Sequence, residues 1–199
     1  LLSNHTEFVH WYEDVLIPAG DPNLIRRHIQ LCFDICHYGV SFDGPKTSIA
    51  ELKAKNIPVG KIQISSALRV DLRNQEAEKI EELKKYQEPV YLHQVKALRK
   101  DGTYQEFKDL DEAFEAYKPD TYDEWRVHFH VPLFLETYGL LESTQQEIRE
   151  TMEIQKESPF TRHLEIETYT WGVLPAAYQL PMADSISREI KTITDLLGL

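Results

Sequence analysis

The chain has 199 residues, 42% of them hydrophobic and 28% charged, the balance of an ordinary globular protein with a core of its own. Its net charge of −11 argues against a nucleic-acid partner, because phosphate binding wants a basic surface, and favours a small-molecule or protein partner. No apolar run approaches the roughly 20 residues that cross a bilayer and no signal peptide is visible, so a cytoplasmic protein without a membrane span is expected.

In chain order, Glu7 to Leu16 carries Phe8, Trp11, Tyr12, Val15 and Leu16 at helical spacing, with Pro18 and Gly20 to end the helix. Ile29 to Cys36 is a short apolar strand, Ser48 to Lys55 a helix, and Val59 to Ser65 an alternating strand. Gln75 to Tyr86 reads as a charged helix. Val90 to Phe107 reads as a hairpin turning at Lys100-Asp101-Gly102-Thr103. A short helix over Asp111 to Tyr117 precedes a strand over Arg126 to Val131. Ser143 and Gln146, in capping-box spacing, open a helix to about Glu157. His163 to Thr170 is the last strand and Ser185 to Leu197 the last helix. Strands alternating with helices predict βα units on a parallel sheet, with the hairpin as an insertion and residues 1–199 as one domain. Cys32 and Cys36, four apart on a strand, would sit ~13 Å apart, too far for a disulfide, so both are read as reduced thiols.

The titratable residues fall on one face of these strands. His163, Glu165 and Glu167 oppose Leu164 and Ile166; Arg126, His128 and His130 oppose Val127, Phe129 and Val131. A single strand of this kind also suits an antiparallel sheet with one solvated face. The helices that follow favour a (β/α)8 barrel, whose polar strand ends converge on an active site. Asp34 at a strand end, His37 beyond it, the His128/His130 pair and Glu167 are then the metal candidates. Carboxylates with imidazoles suit a divalent transition metal: Zn, Mn, Fe or Co. Gln63 is placed to hydrogen-bond a substrate or support a ligand. His93 is a further candidate substrate contact, or else a residue of a solvated strand face. Trp171 would floor a pocket or pack in the core, and Cys36 is read as packing.

The order of these pieces resembles the xylose isomerase-like TIM barrels, the superfamily of sugar-phosphate isomerases and epimerases and of endonuclease IV. Leu31 to His37 resembles its sixth strand and Gly60 to Ser65 its seventh, with Gln63 where relatives usually place a metal-binding His. His128-Phe129-His130 resembles the Asp-x-His pair of endonuclease IV. Leu164 to Thr168 resembles the last strand, with Glu167 at the ligand Glu. Within that superfamily the chain is similar to the metabolite-traffic protein EboE family. The segments that carry this are Asp34-Ile35-Cys36-His37, Gly60 to Leu68, Tyr91-Leu92-His93-Gln94, His128 to Pro132 and His163 to Trp171.

The resemblance implies the C-terminal part of a (β/α)8 barrel that begins after the fifth strand. An N-terminal portion or a companion chain would complete it, in keeping with a start at Leu1-Leu2 rather than Met. It implies a metal-dependent isomerase or epimerase acting on a small polyol, sugar or cyclitol-like metabolite. Asp34 and His130 would hold metal, His37 would orient substrate, and Glu167 would act as acid or base. Gln63 in place of His also suits a non-catalytic metabolite carrier or scaffold. A DNA-repair endonuclease is the third expectation, disfavoured by the charge and by His128 standing where Asp is usual.

Overall fold

A computed structural model describes residues 4–172 and 174–199. Helix α1 (His5–Trp11) is capped by Asn4, whose side chain accepts from the Glu7 N–H at 2.9 Å, and runs on as a π turn to Leu16. A short helix α2 (Pro22–His28), capped by Asp21 with Pro22 in its first turn, leads into β1 (Leu31–Asp34). The strand expected to reach Cys36 stops at Asp34. Asp34 turns the chain into α3 (Ile35–Val40) by accepting from the Cys36 and His37 N–H groups at 2.9 and 3.4 Å. Helix α4 (Pro45–Ala54) then leads to β2 (Val59–Ile64), parallel to β1.

The chain leaves this sheet at Ser65. The next strand, β3 (Ser66–Asp71), continues β2 end to end but pairs elsewhere. Helix α5 (Glu76–Leu83) follows, then the hairpin of β4 (Val95–Arg99) and β5 (Tyr104–Phe107). Gly102 takes the left-handed turn position at φ 83°. The hairpin begins later than Val90 because Pro89 has no N–H and the Val90 and Tyr91 N–H groups bond the Glu88 carboxylate at 2.6 and 3.0 Å instead of a ladder. Helix α6 (Leu110–Ala116) precedes the ten-residue β6 (Tyr122–Val131). Two short strands, β7 (Thr137–Tyr138) and β8 (Leu141–Ser143), lead to α7 (Gln145–Glu157). Ser143 ends β8 and donates to the Leu135 carbonyl, so the expected capping box does not form. Strand β9 (Leu164–Ile166) and α8 (Met182–Leu197) complete the chain.

The described residues form a mixed α/β protein with two sheets. One is parallel, in the order β1-β2-β9; the other has six strands in the order β5-β4-β6-β3-β8-β7. The expected single parallel sheet is therefore corrected at Arg126–Val131, which pairs antiparallel with both β3 and β4. The tight turn at residues 100–103 lays β5 antiparallel to β4, and the chain returns over α6 to place β6 antiparallel on the other side of β4. The parallel sheet is open among the described residues, not closed into a barrel. Phe33, Ile62 and Ile64 pack its core against α1, α4, α7 and α8, and Trp125, Val127 and Phe129 pack the core of the other sheet. No helix among the described residues is long and apolar enough to cross a membrane.

Candidate metal centre

The sheets meet where the C-terminal ends of β1, β2 and β9 face the last half of β6. In the parallel register Asp34 lies opposite Gln63, and Gln63 opposite Glu165. Two residues beyond, Glu167 holds to β2 through its N–H to the Ile64 carbonyl at 2.9 Å. Thr170 donates to the His130 carbonyl and so ties the exit of β9 to β6.

Alternation on β6 sends Val127, Phe129 and Val131 into the core and turns His128 and His130 to the other face, towards β9 and α3. His130 is buried, and its Nδ1 donates to the Glu167 carbonyl at 2.7 Å. That bond puts the ring proton on Nδ1 and makes Nε2 the acceptor nitrogen, which receives the Nε2–H of His128. Nε2 of His130 lies 3.3 Å from Nε2 of His128. The His37 ring lies 4.4 Å from that of His128. Burial first, and then the neighbouring His37, His130 and His93, lower the His128 pKa to about 3. Burial likewise lowers that of His130, the carbonyl bond opposing it. Both rings are therefore neutral at ordinary pH and able to donate lone pairs.

The carboxylates stand around this pair. Asp34 Oδ1 accepts from Ser65 Oγ at 2.8 Å as well as from the α3 backbone, and Oδ2 lies 3.8 Å from His37 Nε2. Glu167 Oε2 is 3.9 Å from His130 Nδ1. Burial and then the Asp34 charge raise the Glu167 pKa, while a hydrogen bond from Gln63 lowers it. Gln63 also accepts from Cys32 Sγ at 3.0 Å. Glu165 pairs instead with Lys61, outside the centre.

Asp34, His37, Gln63, His128, His130 and Glu167 thus come together. His93 lies behind them: it is buried, stacks on Phe129 at 5.2 Å, and sits 3.2 Å from Glu88 and 3.5 Å from Asp109. The Glu88 contact lacks hydrogen-bond alignment at Nε2. Trp171 is buried in the core of the antiparallel sheet. Two residues at the centre were not anticipated there. Cys36, in the first turn of α3, is fully buried, and a ring nitrogen of His128, one of His130 and its Sγ all lie within 4.8 Å of one another. Tyr169 places its ring 4.5 Å from that of His130 and 5.0 Å from Tyr91. Burial pushes the Tyr169 hydroxyl up to about 12. Both were within reach of sequence reading, Tyr169 through its i, i+2 relation to Glu167 and Cys36 through its place in the turn after Asp34.

Two neutral imidazoles with facing ring nitrogens, next to carboxylates and a thiol, are a donor set that fits a divalent transition metal taking the place of the shared proton. Both cysteines are free thiols. A cleft of about 300 Å³ opens beside the centre, lined by His5, Cys32, Asp34, His37 and Tyr38 among others. Comparison with protein-family models, with curated proteins and with solved structures finds no match.

Proposed function

We propose that this chain carries the metal-binding part of a divalent-metal isomerase or epimerase acting on a small polyol, sugar or cyclitol-like metabolite. The observation that carries the reading is the convergence of Asp34, His37 and Glu167, at or just beyond the C-terminal ends of parallel strands, with His128 and His130 from β6 of the antiparallel sheet, beside an open cleft. The barrel reading draws on the same arrangement. β1, β2 and β9 would be successive barrel strands, the antiparallel sheet an insertion between the second and third, and an N-terminal portion or companion chain would pair with the open edges.

His128 and His130 would hold the metal, with Asp34 and His37 alongside. When bound, such a metal polarises a carbonyl or a hydroxyl pair. Glu167 is suited to move the proton. Burial and the Asp34 charge raise its pKa above the usual carboxylate value, and Gln63 holds its carboxylate in place. His37, with 57% of its side chain exposed and Asp34 behind it, is placed to orient a substrate hydroxyl. The test is solvent-deuterium incorporation, followed by NMR, across aldoses, ketoses, cyclitols and their phosphates, with protein loaded with Zn, Mn, Fe or Co. Exchange at a carbon next to a carbonyl or hydroxyl, lowered about 100-fold or more by Glu167→Gln, supports the reading.

One observation favours a second reading, a metabolite carrier. Gln63 stands where relatives place a metal-binding His, and it is occupied by Cys32 and Glu167. Ligand binding to metal-free protein without exchange in any loaded form would select the carrier.

A further inference from the structure

The proposed centre has two imidazole donors on β6, and its third donor is open. The carboxylates nearest to it are turned to other groups, and Asp34 Oδ2 faces His37 Nε2 at 3.8 Å. Asp34 Oδ1 is held by two α3 N–H groups and by Ser65. Glu167 approaches His130 from the Nδ1 side, at 3.9 Å, whereas the acceptor nitrogen of His130, Nε2, is at the other side of the ring and faces His128. That is the position of a group that orients a ligand, not of one that shares its metal.

Cys36 stands differently. The Asp34 cap starts α3 at Ile35, and Cys36 in that first turn is anchored by its own N–H to Asp34 at 2.9 Å and to Ser65 Oγ at 3.2 Å. Its side chain is fully buried, with Val40 and Ala67 packed around it, and its sulfur faces the two rings. Two nitrogens bound to one tetrahedral zinc lie about 3.4 Å apart, and a sulfur and a nitrogen about 3.6 Å. The His128–His130 separation of 3.3 Å already matches, and the outer limit of 4.8 Å for the whole set needs only small side-chain adjustment to close.

We propose that Cys36, His128 and His130 form a three-donor zinc site, with Asp34 and Glu167 left off the metal as orienting and proton-moving groups. The inference rests on the reading of this cluster as a metal centre and goes beyond it by assigning a thiolate donor and a metal. Thiolate with imidazole selects zinc over magnesium, calcium and manganese. The same donors also occur in copper centres with a distant methionine. Here Met152 lies in the core of the parallel sheet and Met182 is exposed on α8, so neither is placed for that role. Three protein donors leave a fourth position for water or substrate, the hallmark of a catalytic rather than a structural zinc.

The test is a titration of the reduced, metal-free full chain with Co²⁺, read by absorption, followed by displacement with Zn²⁺ against a chelator. The expected result is saturable cobalt binding with a thiolate-to-metal charge-transfer band in the near ultraviolet. Cys36→Ser removes the band and weakens zinc by about tenfold or more. Asp34→Asn and Glu167→Gln keep the band. The wild-type spectrum carries the test even if Cys36→Ser fails to fold. Cobalt bound without the band, or zinc affinity unchanged in a folded Cys36→Ser, overturns the thiolate assignment and leaves the metal centre standing, with Cys36 as packing against Val40 and Ala67. No binding of either metal overturns both.

Discussion

Replacing Glu189 by Gln should stabilise the protein at pH 8 and hardly change it at pH 5. Glu189 is on α8 and only 1% exposed. Its Oε1 accepts from the Leu133 N–H at 3.1 Å and from Thr168 Oγ1 at 2.8 Å, so it joins α8 to the exit of β6 and to the segment after β9. Burial raises its pKa to about 7 from a usual 4.5, and the two hydrogen bonds oppose the rise. Between those values the folded chain keeps a proton that the unfolded chain has lost. Stability therefore falls as pH rises from 4.5 to 7 and is level above. At about 1.4 kcal/mol per unit, the ionised carboxylate costs about 3 kcal/mol at pH 8. Gln keeps a carbonyl oxygen for both donors and carries no charge. Urea unfolding of wild type and Glu189→Gln at pH 5 and pH 8 should give a gain of about 3 kcal/mol at pH 8 that shrinks towards zero at pH 5. An equal difference at both pH values, or a loss at pH 8, would refute the reasoning.

Asp34→Ala should lose about 1 kcal/mol from the α3 cap, read by urea unfolding, while Asp34→Asn keeps the cap and loses little. Glu124 is buried between Arg69 at 2.9 Å and Arg126 at 2.6 Å. Glu124→Ala should cost about 1 to 3 kcal/mol in the same assay, because it strips a shared partner from two guanidinium groups that keep Glu142 and Glu147. In metal-free protein, His128 resists protonation until about pH 3, whereas in the unfolded chain it titrates near 6.5. The stability of wild type relative to His128→Asn should therefore fall as pH drops through that window, checked by unfolding at pH 7 and pH 5.

Much of the element order was legible because it rests on patterns of one strand or one helix. Ile62 and Ile64 against Lys61 and Gln63 announce β2, and Gly102 announces the hairpin turn. What was not legible rests on partners. β3 follows β2 with only Ser65 between, so one continuous extended stretch hides two strands that belong to different sheets. The alternation of Val127, Phe129 and Val131 is the same in a parallel and an antiparallel pairing, so it could not give the direction of β6. The six residues of α3 are too few to show a helical period, and Asp34, read correctly as a strand end, gives no sign in the sequence that it also caps α3. The site followed the same division. Strand alternation brought out His128, His130 and Glu167, but Cys36 needed the α3 turn to carry its sulfur towards them.

Elemental analysis of the purified full chain, after zinc loading and dialysis against a weak chelator, tests the central claim most directly when set beside a His128→Ala/His130→Ala double variant. About one transition metal per chain is expected in the wild type and none retained in the variant. A wild type that holds no metal after loading with zinc, manganese, iron or cobalt would contradict that claim.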